Sequence, residues 1–554
     1  MTTFADQAMV LKVTAYSVAQ ADQIDAPVLP GGDIDDIAFT WSWAPATTTT
    51  YPAATIGRST APTDTPANTY VPGALSDSVN YGISILSAAD PVAGGGSSTA
   101  GEILLIDPGG SLDALTGTIW DGATIEILRG DPLAAFSTYS TVASFTGAGL
   151  VYDTKAKQIK LRDINWRLTQ GLIHDERYSG AGGTDGDATL TNVWKPICYG
   201  SPFNITPVQI GASLLIYQVS FTTVQAISAV RDGGAALTLD TAVGTAGDCA
   251  TYAALAAATV AAGKYATCLA KGLFRLGGSP TKRITCDAQG DNESIGGVTW
   301  ASKRADIVQR IATGRGNVKL TTAQLDTASF AALNTAQAAA CEAYFSQPIS
   351  KADAIRYVLD GCLGYAAVTV AGLLTVGYFD ETPTTASTVF KVPSAGQVAG
   401  DCDVVGEPTM QAIATPRRST FLGWSRNYTP QTQDELAGSV SMANAAIYAA
   451  DSRKVSVTNG SLVVAQPTAP IVTLESGMAS QADALVEVAR QQRVMSKRRE
   501  LWQIDVRLDP YTALLGQAVE IGGWTRFKFG GARVLKIVGI NVTGANRITL
   551  TLWG

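Results

Sequence analysis

Asp163-Ile-Asn-Trp166-Arg-Leu168, then Tyr178-Ser-Gly-Ala-Gly-Gly-Thr-Asp-Gly-Asp187, then Trp194-Lys-Pro196-Ile-Cys-Tyr199-Gly200, Asn204-Ile-Thr-Pro207-Val208 and Leu214-Leu-Ile-Tyr217-Gln218: the reading of this stretch decides the fold. Two β-type runs flank a glycine-rich polar loop that no ordinary core buries. Pro196, Pro202 and Pro207 lack a backbone N–H and fix φ, which suits edge strands and crossings between domains. The residue before each proline is pushed toward extended backbone. Trp194 and Tyr199 bring large apolar area to a loop with little of its own. Two readings stand: a rigid joint between β-rich domains, or a long surface loop within one large domain.

Outward from that stretch, 554 residues suggest about three or four domains. Hydrophobic residues make up 46% of the chain, enough for several cores, whereas charged residues make up only 16%, below the usual quarter. The surface is therefore largely Thr, Ser, Ala, Asn and Gly, as in an assembly subunit or a secreted β-protein. A net charge of −7 argues against a general DNA-binding surface, which needs a basic footprint. His174 is the single histidine, so a His-rich metal site or a Ser-His-Asp centre would have to use it. Cys198, Cys249, Cys268, Cys286, Cys341, Cys362 and Cys402 are odd in number, scattered, and form no Cys-x-x-Cys pair, which reads as free thiols from a reducing cytoplasm. Gly180 to Gly186 lacks both the Gly-Lys-Ser/Thr of a phosphate loop and the strand–helix context of a dinucleotide site. His174-Asp175-Glu176 has acid–base residue types, but neighbours in extended chain point to opposite faces, and a polar loop accounts for them equally. Asp33, Asp35 and Asp36 could ligate calcium but lack the glycine and glutamate of a calcium loop; a solvated turn is the other reading. No signal peptide is visible, and Ala250 to Gly263 is too short to span a bilayer. These residues imply no catalytic, cofactor or metal site.

In chain order, Val10 to Tyr16 predicts a strand and Ala44 to Pro72 an irregular connector. Ile103 to Ile106, Thr124 to Arg129 and Lys157 to Leu168 alternate as strands, with Ile159, Leu161 and Ile164 inward. Val219 to Leu239 and Phe274 to Asp287 read as further strands. Ser302 to Ala312 predicts a helix with Ile307, Val308 and Ile311 inward and Lys303, Arg304 and Arg310 mostly opposite. Ala323 to Phe345 predicts two helices, and Lys351 to Leu363 another. The strongest helix signal runs from about Ala479 to Arg499, with Leu485, Val488, Ala489, Gln492 and Met495 inward and a basic run from Arg490 to Arg499 facing a partner or solvent. Gly122-Ala-Thr-Ile-Glu-Ile echoes Gly516-Gln-Ala-Val-Glu-Ile; chance and structural equivalence both account for so short a match. The organisation expected is an N-terminal β/irregular segment (1–60), a first β-barrel-like domain (61–177), the joint (178–218), an α+β middle (219–400) and a C-terminal region with a long helix and closing β-barrel (401–554).

Tyr178, Gly180, Gly182 and Gly183, then Lys195-Pro196, Tyr199-Gly200 and Asn204 with Pro207-Val208 resemble the tail hub, or baseplate hub, of long non-contractile-tailed bacteriophages and gene transfer agents. Asp64 to Tyr70, Gly101 to Leu105, Leu112 to Leu115, Asp121 to Gly130, Asp232-Gly-Gly, Tyr265 to Ala270, Phe274 to Gly277 and the ending Ile548 to Gly554 follow in the order usual there. Met1 to about Ser59 matches least. The resemblance implies a β-rich α+β fold with two small β-barrels and an α+β insertion, and no enzyme activity or cofactor. It implies a homotrimer whose paired barrels present a pseudo-sixfold ring to the tail tube, at the distal end of a virion assembled in the host cytoplasm. The neighbours implied are a distal tail protein, a tape measure protein and a tail fibre or receptor-binding protein, with phage DNA passing through a channel. A bacterial-surface glycan-degrading enzyme and a carbohydrate-binding β-protein are the rival readings, since two carboxylates suffice for glycoside hydrolysis.

Overall fold

Strong alternation in Thr118–Gly130 and Ser140–Tyr152 places Ile125, Ile127, Ala143 and Phe145 on one buried face, and a large sheet grows from this pair. The computed structural model describes residues 8–17, 46–54, 71–72, 75–92, 97–130, 136–162, 165–294, 299–316, 318–381, 385–391, 403–507, 515–522, 533–544 and 547–554. Asp33, Asp35, Asp36, Ile164, the motif Asp64 to Tyr70 and Cys402 lie outside the described residues. The fold is β-rich with several sheets, and a single sheet takes in strands from both ends of the chain.

That sheet contains one arrangement twice. The first run is, in chain order, Leu75–Ser84, Ser97–Ile106, Thr118–Gly130, Ser140–Tyr152 and Ala156–Arg162; the second is Val404–Ala414, Arg499–Val506, Ala518–Gly522, Arg533–Gly544 and Arg547–Trp553. In each, the third, fourth and fifth strands form an antiparallel meander, the fifth pairs with the second, and the second with the first. The registers match to the residue. Thr146 stands opposite both Thr124 and Arg162, as Lys536 stands opposite Ala518 and Trp553. A bulge follows at the same point in each, between Gly147 and Gly149 and between Ile537 and Gly539. The first strands reach the same register at Tyr81 opposite Ala100 and Ala412 opposite Leu501, after irregularities that differ between the two runs. Gly122, inside Thr118–Gly130, and Gly516, just before Ala518–Gly522, lie at φ +79 and +81, a left-handed conformation that favours glycine, and each is followed by buried alternates, Ile125/Ile127 and Val519/Ile521. The short sequence echo thus marks equivalent positions.

The two runs meet edge to edge. Arg533–Gly544 pairs with Ala518–Gly522 over its first residues and then, on that same edge, with Leu75–Ser84. Both runs feed one core, which holds Leu11, Ile103, Ile125 and Ile159 together with Ile504, Ile521, Leu550 and Trp553. The first run is extended by Ala8–Ser17, Ala46–Ala54 and Val71–Pro72, the second by the parallel strand Thr388–Lys391. The connector expected over Ala44 to Pro72 therefore contains a strand; its β-branched threonines suit one, and composition alone misread it.

Between the runs lie the helices Arg304–Thr313, Thr327–Ala336 and Lys351–Asp360 around Ile307, Val308, Ile311, Ile355 and Val358. The second helix expected before Phe345 is instead the strand Glu342–Phe345, which pairs with Ile197–Gly200. Alanine favours a helix locally, but the open edge of Ile197–Gly200 outweighs that preference. Arg304 and Arg310 are buried rather than opposite the core. Arg304 donates to the carbonyls of Val358 and Ser476, and Arg310 reaches Asp291 at 3.2 Å.

The helix Gln481–Met495 packs on the sheet of Ser419–Trp424, Arg453–Thr458 and Ile471–Glu475. Its buried face is Ala484, Glu487, Val488, Gln491, Gln492, Val494 and Met495, whereas Leu485 is 47% exposed and Ala489 is exposed. Leu485 was expected inward, and the real face is rotated because its centre is polar. Gln491 Nε2 donates to the Gly361 carbonyl at 2.9 Å and to Glu487 at 2.7 Å, and Gln492 Nε2 donates to the Arg417 carbonyl at 2.7 Å.

Candidate functional site

The glycine-rich stretch is tied down rather than loose. Gly180 N–H donates to the Asp185 carbonyl at 3.0 Å and Gly182 N–H to Gly186 at 2.6 Å, closing the loop on itself. Lys195 pairs with Asp185 at 2.6 Å while its ammonium stands 5.4 Å from the centre of the Tyr178 ring. Tyr178 is buried, and its hydroxyl donates to Gln218 Oε1 at 2.5 Å, joining the two ends of the stretch. Burial pushes that phenol above its ordinary range, with Asp185 adding to the shift, so it stays a donor. Gly200 lies at φ +62, and a Cβ there would stand 1.7 Å from the Cys341 carbonyl oxygen. Only glycine lets these backbones approach so closely.

Beyond Gly200 the stretch grips two separate parts of the chain directly and a third through Asn427. Asn204 is buried; its N–H donates to Asp287 at 2.8 Å and its amide to Asn427 Oδ1 at 2.8 Å and the Thr429 carbonyl at 2.9 Å. Asn427 carries the link on to the carbonyls of Tyr448 and Ala450. Asp287 also takes a two-pronged contact from Arg231, whose guanidinium lies 5.3 Å from the Phe203 ring and 5.5 Å from that of Tyr448. Pro207 was legible as a fixed point and Asn204 only as part of the resembling motif. Their partners Asp287, Asn427 and Arg231 were not, because no spacing links residues so far apart in sequence.

His174 packs on Trp194 at 3.9 Å with the planes tilted by 31°, and near Phe221 at 4.5 Å, buried, with Nδ1 accepting the Glu176 N–H at 3.1 Å. Burial, helped by the charges of Arg315 and Lys195, lowers its pKa to about 3, so the ring is neutral at physiological pH. Asp175 and Glu176 are exposed beside it. Asp291 is fully buried against Arg310 and Arg315, the latter at 2.6 Å. Among the described residues no three His, Cys, Asp or Glu side chains converge as a metal group, and the six described cysteines are free and buried. No helix of the described residues is long and apolar enough to cross a membrane.

The basic run of the last helix is not one surface, as the sequence suggested. Arg490 is bound to Glu487 at 2.5 Å and to the Cys362 carbonyl at 2.7 Å. Arg499 is buried, 4.7 Å from the Trp553 ring, with Nε donating to the Val494 carbonyl at 2.8 Å. Arg493 and Lys497 reach Glu381 at 3.5 and 3.1 Å. The exposed apolar residues include four on strands of the large sheet, Val151, Tyr152, Met410 and Ile413.

No protein-family model matches the chain, and no curated protein matches it. Solved structures do. A tail protein from Neisseria meningitidis is 8% identical, with 86% of this chain and 91% of that one covered and a TM-score of 0.35. The 43 kDa tail protein of prophage MuSo2 from Shewanella oneidensis is 10% identical, covering 86% and 93% with a TM-score of 0.27. A prophage tail protein from Listeria monocytogenes is 7% identical, covering 86% and 89% with a TM-score of 0.30. These three alignments span most of this chain at low identity.

Proposed function

We propose that the chain is a structural protein of a bacteriophage tail: the hub at the distal end of a non-contractile tail, joining the tail tube to the tip. The observation that carries this reading is the doubled five-stranded unit, with the same strand order in both copies and the same register and bulge in both meanders. A hub joins a sixfold tube to a tip of lower symmetry. Three chains with two equivalent β-barrel units each offer six similar contacts, whereas a chain with one unit would need six copies. Function then resides in geometry rather than in a reacting site.

The joint from Tyr178 to Val208 supports this reading, because it fixes the middle region with buried hydrogen bonds instead of leaving it to swing. The net charge of −7 suits a channel through which DNA passes without being held, since each lysine or arginine on phosphate adds salt-sensitive affinity. The low charged content suits broad contacts with a distal tail protein, a tape measure protein and a fibre or receptor-binding protein. The protein would be made in the host cytoplasm and released in the virion. Imaging of phage particles decorated with an antibody against this chain tests the reading. Label at the tail tip is expected; label on the head or along the tube would overturn it.

A further inference from the structure

The seam between the two β-units inside one chain has an unfilled counterpart. Along Arg533–Gly544, the partner Ala518–Gly522 gives way to Leu75–Ser84, with Gly539 opposite Ser84, Ile540 opposite Ile83, Asn541 opposite Gly82 and Val542 opposite Tyr81. The Ile85 N–H extends the seam to the Val538 carbonyl at 2.8 Å. Val542 and Tyr81 are buried there, 2% and 4% exposed.

By the shared register, Gly149, Leu150, Val151 and Tyr152 occupy the places of Gly539, Ile540, Asn541 and Val542. Thr118–Gly130 pairs with Ser140–Tyr152 only as far as Thr146, and among the described residues no strand pairs with Gly149 to Tyr152 on that edge. Tyr152 is 59% exposed where Val542 is covered. On the other side, Ala412, Ile413 and Ala414 occupy the places of Tyr81, Gly82 and Ile83, and their strand, Val404–Ala414, is the last in its sheet. Each chain thus carries one filled seam and the two halves of an empty one. A long edge strand bearing exposed apolar residues is a template for another chain.

We propose that Gly149 to Tyr152 of one copy pairs antiparallel with Ala412 to Thr415 of a second copy. Tyr152 stands opposite Ala412, Val151 opposite Ile413, Leu150 opposite Ala414 and Gly149 opposite Thr415. The occupant is a second copy of this chain because the same seam already exists within the chain, built from equivalent strands. The inward pairs are complementary: Tyr152 against Ala412 supplies one large ring and one small side chain where Val542 meets Tyr81, with the ring on the opposite strand. On the outer face, Val151 and Ile413, 54% and 48% exposed in the single chain, cover one another. One hydrogen bond of the internal seam is lost, because Pro416 stands at the position of Ile85 and has no N–H. The contact joins different surfaces of successive copies, so it propagates head to tail until it closes a ring.

This inference rests on the proposed ring-forming role, and the test separates the two. Directly opposite residues have Cβ atoms about 4.5–5.5 Å apart, close to disulfide reach. The full chain carrying Val151→Cys with Ile413→Cys is oxidised, both purified and in assembled tails, beside an out-of-register control with Val151→Cys and Met410→Cys. Linked peptides are identified by mass spectrometry and subunit number by light scattering. The expected result is a shift from monomer to dimer and trimer bands without reductant, with the 151–413 link far exceeding the control. An oligomer that lacks this link, or forms both links equally, overturns the seam and leaves the ring standing. A chain that stays monomeric in solution and in tails overturns both. Val151→Asp with Ile413→Asp, both at exposed positions, is expected to give a folded monomer; an intact oligomer would contradict the seam.

Discussion

His174 lies between the rings of Trp194 and Phe221, and its buried imidazole makes folding depend on pH. The folded pKa of about 3 is below the ordinary 6.5, so its contribution is fully present above pH 6.5 and is lost as pH falls toward 3. At pH 5 the loss amounts to about 2 kcal/mol. His174→Phe keeps an aromatic ring in the stack but cannot take up a proton. The melting temperature of the variant is expected to fall less between pH 7 and pH 5 than that of the unmodified chain; equal falls would show that the ring is not held neutral. At this scale the sequence is legible where chemistry is local. Trp194, Tyr199 and the prolines were readable as anchors because apolar area and fixed φ act on their own neighbourhood. Arg304, Arg310 and Asp291 were not, because a charged residue reads as solvated until its buried partners, drawn from distant segments, are in place.

The helix Gln481–Met495 shows what periodicity reveals and what it misses. Its existence was plain from sequence, and Val488, Gln492 and Met495 are buried as expected; its rotation was not plain, because Glu487 and Gln491 spend their polar groups on interior partners. Met495→Ala is therefore expected to cost about 2–5 kcal/mol in denaturant unfolding. Leu485→Ala should change stability by less than about 0.5 kcal/mol. The reverse ranking would restore the face that apolar spacing alone suggests. The segment Glu342–Phe345 teaches the same lesson for strands: its alanine-rich approach reads as helix, and the edge of Ile197–Gly200, far away in sequence, makes it a strand.

For the whole molecule, the informative feature is repetition. Gly122 and Gly516 were visible as a six-residue echo, but the shared order of five strands was not, because β-pairing joins residues far apart in the chain and leaves no spacing to read. Once the strands are paired, the internal seam shows how one unit receives the next, and the exposed edges at Tyr152 and Ile413 show where the pattern is unfinished. We propose that three copies complete it, giving six similar units around an axial channel. High-resolution electron cryomicroscopy of the isolated tail tip tests this most directly. The account predicts a ring of three chains with six β-units, in which internal seams alternate with seams between chains of the same register. A single copy at the tip, or a ring in which Tyr152 and Ile413 face solvent, would contradict it.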